Sequence, residues 1–194
     1  DADPGPGFVG LTNAGVADAY IVALDSEGAY RWAYSYGSTA EESTGGVTTD
    51  SLGNVYMVAG LGGTQDLDPG VGEAPFTADG NQDLAVISFD EDGVFRWAET
   101  FGGTGSVGGY RLIFGGSGDL VVSGFYETSL AMPDATSISD LVSNGSYDNF
   151  VLWLDAQTGT PQRAINIGTS GNENQTVTIA QSGSNGLLIG GTLG

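Results

Sequence analysis

The chain copies itself at intervals of 65 residues, and that period limits what it can fold into more than any other feature. Asp18, Asp83 and Asp148 mark the interval, as do Asp25, Asp90 and Asp155, and Trp32 recurs as Trp97. A unit of this length is one supersecondary motif. It cannot cover its own apolar face, so copies must stack on one another, as in a propeller, a solenoid or an array.

Within one copy the pattern is that of strands. From Gly45 onward, Gly45-Gly46-Val47-Thr48-Thr49-Asp50 is followed by a turn at Ser51-Leu52-Gly53-Asn54 and by Val55-Tyr56-Met57-Val58-Ala59-Gly60. After a long connection come Leu84-Ala85-Val86-Ile87-Ser88-Phe89, the turn Asp90-Glu91-Asp92-Gly93, and Val94-Phe95-Arg96-Trp97-Ala98-Glu99-Thr100-Phe101. Apolar runs of about five to seven residues between Gly, Asp and Asn have the length of strands, and helical periodicity is absent. The 34 glycines among 194 residues supply the turns that so many strands need. The expected fold is therefore all-β, with four-stranded antiparallel units.

Two stretches resemble a known family. Leu24-Asp25-Ser26-Glu27-Gly28 to Trp32, and Asp50-Ser51-Leu52-Gly53-Asn54-Val55-Tyr56 to Gly60, are similar to the bacterial β-propeller repeat family often labelled SBBP. That resemblance covers nearly the whole chain and implies a β-propeller of four-stranded blades. Trp153-Leu154-Asp155-Ala156-Gln157-Thr158-Gly159 is also similar to the repeat of quinoprotein propellers. Their cofactor pocket often includes a vicinal cysteine pair, and this chain has no cysteine, so that likeness stays with the blade scaffold.

The expected division is a half blade over residues 1–44, full blades over 45–107 and 108–170, and the first two strands of another blade over 171–194. About three blade-equivalents cannot close a ring of four to eight blades, so the expectation is part of a larger ring, or half blades that complement each other between copies. The third copy is irregular. An extra turn residue places Arg163 where Trp32 and Trp97 stand in the others.

Composition removes much chemistry. There is no His and no Cys, and all four basic residues are Arg. This excludes a Ser-His-Asp triad, a thiolate nucleophile, the usual zinc and haem ligands, a disulfide, a Schiff base and a P-loop ammonium. A net charge of −20 disfavours nucleic acid, whose phosphates are bound by Lys and Arg, and anionic membranes for the same reason. No stretch approaches the roughly 18 apolar residues that cross a bilayer.

The connection from Leu61 to Gln82, and its counterpart from Phe125 to Tyr147, are far longer than the usual two to six or so residues, and long loops on a rigid scaffold are where binding is placed. Within the first lies Asp66-Leu67-Asp68-Pro69-Gly70, echoing Asp1-Ala2-Asp3-Pro4-Gly5 one period earlier, whereas Leu130-Ala131-Met132-Pro133-Asp134 lacks the motif. Asp1, Asp3, Asp66 and Asp68 are thus the candidate ligands for calcium, a hard cation that takes carboxylate and carbonyl oxygens. Aspartates before Pro and Gly also cap turns with no metal. Trp32 and Trp97 are expected between neighbouring sheets, and Arg31 and Arg96, on the opposite side of the strand, beside acidic neighbours.

The leading functional expectation is a secreted or cell-surface module that binds a protein or glycan, or builds a structure, without catalysis. A second is a carbohydrate-active enzyme using paired carboxylates about 5 to 9.5 Å apart, with Asp68, Glu73 and Asp79 as candidates. The third is a filament or surface layer joined through half blades.

Overall fold

The computed structural model describes residues 1–115, 118–133, 137–173, 177–183 and 186–191, so Asp134 lies outside the described residues. Every regular element among them is a strand. A first hairpin, β1 (Ala19–Leu24) and β2 (Tyr30–Tyr36), leads to β3 (Ser43–Thr49) and β4 (Val55–Leu61). A small hairpin, β5 (Thr64–Asp66) and β6 (Pro75–Thr77), precedes β7 (Asp83–Phe89) and β8 (Phe95–Phe101). The next copy repeats the order: β9 (Val107–Phe114), β10 (Asp119–Tyr126), β11 (Ser129–Leu130), β12 (Leu141–Val142), β13 (Asp148–Asp155) and β14 (Pro161–Ile167). β15 (Thr178–Ser182) and β16 (Gly186–Gly190) come last.

Two antiparallel sheets have four strands, in the orders β3-β4-β7-β8 and β9-β10-β13-β14. β1 with β2 and β15 with β16 form two-stranded sheets. The long connections are not plain loops: β5 with β6, and β11 with β12, make small antiparallel ladders of their own. In the β1–β2, β7–β8 and β13–β14 hairpins the register shifts at one equivalent place, before Leu24, Phe89 and Leu154. Such bulges increase local twist and recur because the turn after them recurs.

Alternation along the strands fills two cores at once. Tyr56 and Val58 of β4, with Leu84 and Val86 of β7, pack with Leu112, Val122, Phe150 and Leu152 of the following sheet. The intervening Met57, Ala59, Ala85 and Ile87 pack with Ile21, Trp32 and Tyr36 of the preceding one. Successive side chains of a strand point to opposite faces, so a strand buried on both faces reads as an unbroken apolar run. That explains the near-continuous hydrophobic stretches of β4 and β7. A smaller cluster of Val121, Val151, Val177 and Ile179 joins the sheet of β9 to that of β15.

First strands of successive sheets lie side by side, β3 against β9 and β9 against β15. The approach is backbone on backbone. A Cβ added at Gly45 would stand 2.0 Å from the Gly109 carbonyl oxygen, and one added at Gly109 would stand 2.4 Å from a Val58 methyl group, so both strands need glycine there. At the far end of the first two sheets, those ending in β2 and β8, the next is reached through a side chain. The Trp32 ring of β2 covers Gly93, whose φ of 84° is in the left-handed region, and Trp32 Nε1 donates to the Glu91 carbonyl at 3.4 Å. Trp97 covers Gly159 in the same way.

Candidate functional site

Two series of aspartates, together with Asp50, hold the copies in shape. Oδ1 of Asp25 accepts from the N–H groups of Glu27 and Ala29 at 2.9 and 2.8 Å, and Asp90 does the same for Asp92 and Val94. Asp155 caps Gln157 and Thr158. Asp50 takes the N–H groups of Leu52 and Asn54, the Asn54 amide and the Tyr56 hydroxyl. Burial pushes the Asp50 carboxyl up, but these hydrogen bonds outweigh it and hold it below the usual range. Asp18 directly precedes β1, and Asp83 and Asp148 open β7 and β13; the three accept from the N–H groups of Ala14, Asp79 and Asn144. Much of the acidic count therefore serves turn geometry.

The four aspartates of the Asp-x-Asp-Pro-Gly segments are turn caps as well. Asp66 Oδ1 accepts from the N–H groups of Asp68 and Ala74 at 3.0 and 2.7 Å, and Asp68 Oδ1 from that of Gly70 at 2.8 Å. One period earlier, Asp1 takes Asp3 and Val9, and Asp3 takes Gly5. A Cβ at Gly72 or Gly7 would fall 2.1 Å from Oδ2 of Asp68 or Asp3, so each turn folds tightly over its own carboxylate. Among the described residues no three acidic side chains gather in a way that would hold a metal ion.

Of the remaining candidates, Glu73 is exposed near the tip of the β5–β6 hairpin, and Asp79 is exposed at the mouth of a cleft behind it. The cleft also holds Asp83 and Glu99, which the sequence expectations left out. Asp83 is hidden in sequence by its membership of the 65-residue series. Glu99 had a visible signal: its equivalents are Tyr34 and Ile165, so a carboxylate replaces two apolar or aromatic residues. Burial pushes the Asp83 carboxyl up and the Asp79 charge adds to this, and burial also raises Glu99.

Arg31 pairs with Asp92 at 3.2 Å on the exposed surface. Arg96 differs: it donates to the Ser88 and Tyr56 hydroxyls at 2.9 and 3.3 Å and to the Gln157 amide oxygen at 3.1 Å. Trp32 is buried, 7% exposed, whereas Trp97 is only partly so.

No protein-family model matches the chain. It is 28% identical over 144 residues to the regulatory protein FlaEY of Caulobacter vibrioides, a match that covers 74% of this chain and 15% of that protein. The matched region is thus a small part of that relative's length.

Proposed function

We propose that this chain is a run of β-propeller blades acting as a non-catalytic binding or structural module at the cell surface or outside the cell. The observation that carries the reading is the difference between how neighbouring sheets meet at their first strands and at their last. First strands meet through glycine backbones at Gly45 and Gly109, while last strands reach across with a tryptophan ring. Sheets that touch at one edge and splay at the other are wedges, and wedges repeated by one rotation form a ring. The β5–β6 and β11–β12 ladders are rigid projections of this scaffold, suited to holding a protein or glycan. A composition without His, Cys or Lys supports binding over chemistry. The name of the similar protein, a regulatory one, is in keeping with action through contacts.

The test is calorimetric titration of the purified chain with glycans and basic proteins, run beside hydrolysis assays on aryl glycosides. Saturable binding without turnover is expected. Reproducible hydrolysis that disappears in Asp79→Asn would favour the carboxylate enzyme instead.

Assembly is a second part of the reading, favoured by apolar side chains on strands with one open edge. Tyr20 and Leu24 of β1 are 60% and 46% exposed, and Leu188 and Ile189 of β16 are 62% and 40% exposed. In the four-stranded sheets the edge equivalent to that of β1 carries β4 or β10. The open edges accept the corresponding strands of further repeats, from one polypeptide or from another copy. Sedimentation of the chain across a hundredfold concentration range reads this directly, and a monomer at every concentration removes association between copies.

A further inference from the structure

We propose that the groove beside β1 seats the β15–β16 hairpin of a second copy of this chain, so that two copies complete each other's half sheets and close one ring. This rests on the reading of the sheets as propeller blades, and it names the partner of their open edges.

The groove, of about 710 Å³, runs along β1 and is lined by Ile21, Trp32, Val47 and Val55. Its counterpart one copy on is filled. Val47 is 49% exposed, whereas its equivalent Leu112 is 5% exposed and shares a core with Tyr56 and Val58 of β4. β4 pairs with β7 and β10 with β13, yet among the described residues no strand pairs with the free edge of β1. What that edge lacks is a hairpin of first and second strands. β15 and β16 are such a hairpin, and among the described residues no third strand joins them. Leu187 packs inward with Val121 and Val151, so Leu188 projects from the opposite face, the one that meets Val47 once the sheets are joined.

The other face of β1 agrees. Ala85 and Phe89 are fully buried, and the Phe89 ring lies 5.6 Å from those of Trp32 and Tyr34 on the last strand of the preceding sheet. Their equivalents in the first copy, Tyr20 and Leu24, are exposed. On β14, Ile165 stands where Tyr34 does and is only partly buried. Each surface is the cover that the other lacks.

Two repeated contacts stop at the same boundary. Arg31 of β2 meets Asp92 at 3.2 Å and Arg96 of β8 meets Gln157 at 3.1 Å, each joining the last strand of one sheet to the hairpin turn of the next. The members left over are Gln162 of β14 and Glu27 in the turn after β1, and both are exposed. Trp32 covers Gly93 and Trp97 covers Gly159, but among the described residues nothing lies within 4 Å of a Cβ added at Gly28. Seating the second copy brings its β14 over Gly28 and its Gln162 to Glu27. Two four-stranded sheets and two halves make three blade-equivalents, so a pair of copies makes six, within the four to eight of closed rings. A third copy exceeds that range.

The experiment uses the whole chain, whose lack of cysteine allows pairs to be introduced and bridged with a short bismaleimide. Arg31→Cys with Asp92→Cys should link within one chain. Glu27→Cys with Gln162→Cys, the same contact across the boundary, should link two chains, as read by peptide mapping of mixed light- and heavy-isotope protein. Sedimentation of the parent should show a dimer and nothing larger. Tyr20→Asp and Leu188→Asp should each weaken dimerisation by about tenfold or more with circular dichroism unchanged, whereas Val71→Asp between β5 and β6 should dimerise as the parent does. Failure of the 31–92 pair to link overturns the blade reading and this inference together. With that link formed, a parent that stays monomeric or grows beyond the dimer, a 27–162 pair that stays unlinked or closes within one chain, or an equal loss in Val71→Asp overturns this inference alone.

Discussion

The guanidinium of Arg163 lies 4.7 Å above the centre of the Trp153 ring. These two residues are cross-strand partners, in the position held by Ser88 and Trp97 one copy earlier and by Ala23 and Trp32 in the first. The aromatic ring has changed strands while keeping its face of the sheet, because paired residues on neighbouring antiparallel strands project to the same side. The third copy keeps an aromatic ring at this cross-strand pair and adds a cation over it.

Exchanging the pair follows directly. Arg163→Ala should destabilise by about 0.5 to 1 kcal/mol, the range of an exposed cation–π contact. The double variant Trp153→Ser with Arg163→Trp restores the arrangement of the second copy, so it should be more stable than Trp153→Ser alone. Urea unfolding of the single and double variants measures both, and additive losses would contradict the exchange.

Trp32→Ala should cost roughly 3 to 5 kcal/mol, since a buried aromatic ring and its bond to the Glu91 carbonyl are both lost. Trp97→Ala should cost less, because that ring is only partly buried. Thermal unfolding of the two variants gives the order, and a larger loss at Trp97 would count against the packing described.

Gly45→Ala and Gly118→Ala separate two reasons for glycine. At Gly45 the added Cβ meets backbone 2.0 Å away, so the two first strands must part, at a cost of about 1 to 3 kcal/mol or more. At Gly118 nothing lies within 4 Å and only the φ of 92° resists, which amounts to about 1 to 2 kcal/mol. Gly45→Ala should also lower the protection of β3 and β9 amides from hydrogen exchange, and Gly118→Ala should not.

Much of this architecture was legible in the sequence. Strand positions and the all-β class follow from apolar runs bounded by Asp and Gly, as β4 and β7 illustrate, because a strand covered on both faces has no other composition open to it. The ladders within the long connections were hidden, since Thr64-Gln65-Asp66 and Ser129-Leu130 are too short and polar to show alternation. Glu99 escaped because a charged residue inside an outer strand looks like an ordinary solvent-facing position. Only the comparison with Tyr34 and Ile165 at the same register marks it. The aspartates at the hairpin tip were visible both as calcium candidates and as turn caps, but which N–H groups each serves depends on the path of the turn, which spacing alone does not give.

Acidity provides a prediction with a definite sign. Burial, then the Asp79 charge, raise the Asp83 carboxyl above its ordinary value. A carboxyl raised in the folded state contributes stability that is fully present below its unfolded pKa of about 4 and is lost as pH rises through the folded value. As pH rises from about 4, the parent should therefore lose stability relative to Asp83→Asn, whose amide oxygen still accepts the Asp79 N–H. Urea midpoints along that rise test it, and a constant difference would contradict it.

Removal of divalent cations should leave the unfolding midpoint unchanged, because the Asp66 and Asp68 turn is closed by its own hydrogen bonds. Melting curves with chelator and with millimolar calcium check this. A rise with calcium that disappears in Asp66→Asn and Asp68→Asn would assign the turn to the metal.

The wedge arrangement can be measured most directly in this cysteine-free chain by spin labels on the equivalent turn positions Glu27, Asp92 and Gln157, taken in pairs. Copies turned about a common axis predict equal separations for the two neighbouring pairs, and a separation from position 27 to position 157 clearly shorter than their sum. A separation equal to that sum would mean a straight stack and would contradict the account.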